Sequence, residues 1–142
     1  MLAVPRHNGS TMKSQWVVFW LLATASGGVA ASWSVLGNTE GGADIYIDRA
    51  TLTRSGHTVK VWIMEDYKGG PRTFSGKTFQ SAKLHHEYDC KDRQRRTLQS
   101  TLHSAAKGNG TVVQTGSQPT AWRPINVGTV AETLWKMACG KK

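Results

Sequence analysis

The sequence predicts a small α+β domain, mainly β: an antiparallel sheet of about six strands with one carboxy-terminal helix packed on it and tied by a disulfide. Three observations lead there. Period-two alternation recurs in short stretches, clearest in HTVKVWIMEDY at 57–67, where Val59, Val61 and Ile63 share one face while Lys60, Trp62 and Met64 share the other. A single helical stretch near the end of the chain is marked at both termini. Cys90 and Cys139 are the only cysteines, and in an exported chain such a pair most simply forms one intramolecular disulfide.

The expectation of export comes from the first thirty-odd residues. Trp16 to Ala25 (WVVFWLLATA) follows Lys13 and leads into the small residues SGGVAAS. A cation, an apolar run and a small-residue cleavage region are the order of a secretory signal peptide, expected here over residues 1–31, with Met12 as an alternative start. The run falls short of the roughly 20 consecutive apolar residues a spanning helix needs, so no stable membrane span is expected. The absence of a cysteine near the cleavage site leaves no atom for a lipid anchor. Residues 32–142 then form one domain, because 39 % hydrophobic residues in 142 build a single core. They carry 16 cations against nine acids, a formal charge of +7 that attracts polyanions.

In chain order, Trp33 and Val35 alternate against serines as a first short strand. Ile45 and Ile47 then oppose Tyr46 and Asp48 in a second, and residues 57–67, apolar on both faces, read as a central strand. KGGPR at 68–72 turns, and FSGKTF follows as a looser stretch. From Ser81 to Cys90 the even positions Ala82, Leu84, His86, Tyr88 and Cys90 face inward. QRRTLQSTLHS returns as the partner strand. A hairpin centred on Asp92 sets Leu98 opposite His86, Leu102 opposite Ala82 and Asp89 beside Arg95, a favourable cross-strand charge contact. KGNG at 107–110 reads as a tight Asn-Gly turn into a sixth strand, TVVQT. GSQPTAWRPIN is irregular because Pro119 and Pro124 cannot donate to a ladder. Thr129 and Glu132 have capping-box spacing, and Gly140 suits a left-handed helix stop.

Catalysis finds no frame in these residues. There is no G-x-S-x-G elbow, both thiols are better used as a cystine, and Glu65 and Asp66 point opposite ways on an extended strand. No enzymatic activity and no cofactor are expected. A metal site at His85, His86 and Glu87 fails for a related reason: neighbouring strand residues face opposite sides, and His85 with Glu87 lacks a third ligand. KGNG has neither the spacing nor the strand-to-helix setting of a phosphate loop. No nucleic-acid module is present. What remains is the basic cluster Lys91, Arg93, Arg95 and Arg96 at the predicted hairpin, a candidate binding surface for an acidic partner.

The ordered set of features resembles one family. The W-x-V opening (Trp33, Val35), the YID stretch at Tyr46–Asp48, the V-x-V-W strand with its following DY, the E-Y-D-C strand with its basic sequel, the isolated Trp122 and the closing L-W-x-x-x-C of Leu134–Cys139 are similar to the surface-adhesin protein E-like domain of Gram-negative bacteria. The resemblance implies a small antiparallel sheet with a carboxy-terminal helix locked on by Cys90 and Cys139. It also implies binding of host extracellular-matrix or serum proteins, and the capacity to dimerise. The alternative expectation is a periplasmic or envelope-associated domain whose basic hairpin meets lipopolysaccharide or a sulfated glycan.

Overall fold

The structure, a computed structural model, describes residues 32–142 together with the isolated Ala3. The expected signal peptide, 1–31, lies outside the described residues apart from that alanine. The strands are β1 (Trp33–Asn38), β2 (Ala43–Ser55), β3 (Thr58–Tyr67), β4 (Arg72–Phe74), β5 (Lys77–Phe79), β6 (Ser81–Asp89), β7 (Gln94–His103), β8 (Val112–Gly116) and β9 (Arg123–Pro124), followed by helix α1 (Val130–Cys139). The main sheet is antiparallel with order β1-β2-β3-β6-β7-β8, and β9 adds to β7 where β8 has ended.

β3 is central, as its two apolar faces predict. Val59, Val61 and Ile63 are almost fully buried against Ile45 and Ile47 of β2, Tyr88 of β6 and the helix. On the opposite face, Met64 is also buried. Beside it Ser81 and Asp66, both buried, hold the turn that follows β7: Ser81 Oγ accepts from the Gly108 N–H at 2.8 Å and donates to the Ala105 carbonyl, and Asp66 accepts from the Lys107 N–H at 3.0 Å. These two polar groups are therefore satisfied anchors.

Helix α1 starts and stops where its caps predict. Thr129 Oγ1 accepts from the Glu132 N–H at 3.2 Å, and Gly140 takes the left-handed conformation with φ 66°. The reciprocal half of the capping box does not form. The Glu132 carboxylate instead bonds Arg93 from the β6–β7 turn and Lys136 one turn along the helix, because a paired guanidinium is a stronger partner than a backbone N–H. Leu134, Trp135, Ala138 and Cys139 are the buried face. The disulfide joins Cys90 to Cys139 with Cα atoms 5.6 Å apart, and Trp135 Nε1 donates to the Asp89 carbonyl at 2.9 Å.

Four expectations are corrected. FSGKTF is a small hairpin: β4 and β5 pair with each other, and the turn between them puts Ser75 and Gly76 at positive φ. KGNG is wider than a two-residue turn. A short 3₁₀ turn spans Ala106–Gly108, and positive φ falls on Lys107, Gly108 and Gly110 while Asn109 stays extended, since the loop is shaped by its bonds to Asp66 and Ser81. The β6–β7 register holds at Ala82–Leu102 and slips by one at a bulge, so His86 faces Thr97 and Leu98 is the extra residue. Tyr88 then opposes Arg95, Asp89 opposes Gln94, and the cross-strand ion pair is Glu87–Arg96 at 3.2 Å. The irregular 116–126 segment contains the two-residue β9, with Pro124 at the sheet edge where no donor is needed.

Closing a loop of 49 residues, the Cys90–Cys139 bond stabilises by about 4 kcal/mol through lost freedom of the unfolded chain. Reduction is therefore expected to lower the urea midpoint sharply. The same loss should appear in a Cys90→Ala, Cys139→Ala double variant, measured by circular dichroism with and without dithiothreitol.

Candidate functional site

The residues His85 to Arg96 run along β6, round the hairpin and into β7, and the bulge decides where each points. His86 and Tyr88 face the core, with His86 Nδ1 3.2 Å from the Tyr88 hydroxyl. Burial, and after it the nearby charge of Arg95, depresses the His86 pKa to about 3; burial raises Tyr88 well above the usual phenol range. The pair is thus neutral across physiological pH.

His85 lies on the outer face, stacked on Trp62 with ring centroids 4.7 Å apart and planes within 5°. Burial and the charge of Lys60 lower its pKa as well. Glu87 shares the outer side but is buried and bound by Arg96, whose guanidinium also lies over the Trp122 ring at 4.6 Å. Three candidate metal ligands are thereby separated: one in the core, one stacked on a tryptophan, one in an ion pair. Among the described residues no group of three or more histidine, cysteine or acidic side chains gathers around a common point.

The four predicted binding residues also part company. Lys91 is exposed at the hairpin tip, where Asp89 Oδ1 accepts from its N–H at 2.9 Å. Arg93 turns inward with φ 52°. It donates to the Ile125 carbonyl at 3.2 Å, pairs with Glu132 and lies over the Trp135 ring, so it fastens the hairpin to the helix. Arg95 is carried by the bulge to the helix side of the sheet, opposite Tyr88. Arg96 goes to the other side. Arg95 meets a residue that sequence reasoning missed: Arg123 of β9, its direct cross-strand partner.

Both arginines line a groove of about 630 Å³ between the β1–β2 turn, β9 and the start of α1. They line as well a smaller cleft of about 210 Å³ with Arg96, Thr97 and Thr120. Only the order W-R-P within an otherwise irregular segment could have flagged Arg123, and a two-residue strand has no periodicity to read.

Comparison with known proteins agrees with this fold. The family model described as surface-adhesin protein E matches residues 33–140. The chain belongs to the surface-adhesin protein E family. Solved structures with the same fold include crystal form II of Haemophilus influenzae protein E, at 11 % identity and a TM-score of 0.57 over 78 % of this chain and 97 % of that one. Protein E from non-typeable Haemophilus influenzae gives 11 % identity and a TM-score of 0.53, covering 80 % and 79 % of the two chains. No curated protein sequence matches. Among the described residues no helix of this protein E family member is long and apolar enough to cross a membrane.

The buried histidine makes the fold acid-sensitive. His86 is neutral when folded but titrates near 6.5 when unfolded, so between about pH 6.5 and 3 the unfolded chain binds more protons and acid favours unfolding. His85 and His103, also depressed by burial, act in the same direction. Stability should fall by an amount on the order of a few kcal/mol from pH 7 to pH 4. In a His86→Gln variant the urea midpoint should depend much less on pH over that range.

Proposed function

We propose that residues 32–142 form an exported, non-enzymatic, adhesin-like domain that binds host matrix or other extracellular proteins. The observation that carries this reading is the surface-adhesin family match over nearly the whole described domain. The sequence supports it further with an expected signal peptide and a net positive surface. The cystine sequesters the two thiols that a cysteine enzyme would need free.

The contact surface in this reading is the β6–β7 hairpin, with Lys91 exposed at its tip and Arg95 and Arg96 on its two opposite faces, while Arg93 holds that hairpin in place. A homodimer would present two such hairpins. The protein acts at the cell surface or in the periplasm; protease shaving of intact cells should remove it if it is surface-displayed.

Immobilised protein is expected to bind one or more matrix proteins saturably, with an affinity that weakens but persists through a salt series, because the exposed cations are screened while the packed part of an interface is not. Binding to heparin alone, lost at high salt, would overturn the protein-binding reading.

A further inference from the structure

Arg95 and Arg123 pose an electrostatic problem that no ion pair among the described residues solves. They sit directly opposite one another across the β7–β9 pair, and like charges in that position destabilise a sheet. The other arginines of this region are neutralised: Arg93 by Glu132, Arg96 by Glu87. Among the described residues neither Arg95 nor Arg123 has an acidic partner within ion-pair distance. The bulge in β7 is what brings Arg95 to this side, and bulges recur where a side chain is re-aimed toward a site.

Both guanidinium-bearing residues line the two adjoining cavities, so an anion placed between them would be reached from either side. Guanidinium groups match tetrahedral oxyanions through their fork of N–H donors. The larger groove, at about 630 Å³, has the size of a small-molecule site rather than of a monatomic ion. Its remaining lining is hydroxyl and amide (Asn38, Thr39, Asn126, Thr129) with small apolar surface at Pro124 and Val130. That combination suits a polyhydroxylated ring with a C–H face. Among the described residues no aromatic side chain lines it, which removes the stacking platform a nucleobase uses. Glu40 is the one carboxylate on its wall among the described residues, and it opposes an anion.

We propose that this groove binds an acidic saccharide, its sulfate or phosphate ester seated between Arg95 and Arg123 and its sugar hydroxyls on the amide and hydroxyl wall. The site does not rest on the adhesin-like reading: matrix-protein binding could be absent and the groove would keep its chemistry. It also differs from a diffuse basic surface, because Lys91 at the exposed hairpin tip lies outside it.

The test is calorimetry on the purified exported protein with four probes: a heparin tetrasaccharide, a deacylated phosphorylated lipopolysaccharide core oligosaccharide, the same heparin backbone without sulfate, and an acidic peptide. At least one of the first two is expected to bind and the unsulfated backbone is not; the tighter of the two identifies whether the ester is a matrix sulfate or an envelope phosphate. Arg123→Gln should weaken that binding by about tenfold or more, whereas Lys91→Gln should change it less than about twofold. Glu40→Gln should strengthen it. Arg95→Gln should match Arg123→Gln if it folds; Arg123 is exposed, so its variant decides the matter in either case. No saccharide binding, a Lys91→Gln loss as large as that of Arg123→Gln, or binding of the acidic peptide alone would overturn the proposal.

Discussion

The covalent link between Cys90 and Cys139 holds the helix over one face of the sheet. Around it the contacts are arranged to make the same joint. Trp135 reaches the Asp89 carbonyl, Arg54 reaches the Cys139 carbonyl at 3.3 Å, and Arg93 spans from Ile125 to Glu132 across the Trp135 ring. Each of these brings together residues distant in sequence, which is costly in chain entropy. The sulfur bridge confines the unfolded chain and so lowers that cost for the neighbouring bonds. Leu134 and Ala138 can then seal Ile45, Ile47, Val59, Val61 and Ile63 from water.

The joint also shapes the groove. Because α1 is fixed at its end by the bridge and near its start by Arg93, the Thr129–Ala131 turn is set against β9 and the β1–β2 turn. Arg93 is therefore a positioning residue. It belongs to the same basic run as Arg95 and Arg96, yet its neighbours give it a different task.

Much of this fold was legible in the sequence because it obeys simple periods. The alternation in β3 and β6 announced a two-faced core, and Thr129, Glu132 and Gly140 bounded the helix at both ends. What was not legible was anything a single inserted residue decides. The Leu98 bulge reverses the facing of everything between it and the hairpin tip, so the expected Asp89–Arg95 contact became Glu87–Arg96 and Arg95 moved to the core side. Alternation has no means of signalling such a slip, since both phases put a mixture of polar and apolar groups on each face. β9 was hidden for a different reason: its pairing is dictated by the chain returning past β7, with Thr97 and Thr120 exchanging bonds, and by no pattern of its own.

The position of the bridge decides what a single proteolytic nick would do. Lys91 stands exposed one residue beyond Cys90, at an accessible trypsin-type cleavage point. A cut there, or anywhere up to Cys139, divides the polypeptide into two pieces that remain bolted together through sulfur. The nicked molecule would migrate as one particle until reductant is added, and its severed halves would stay close enough to re-dock.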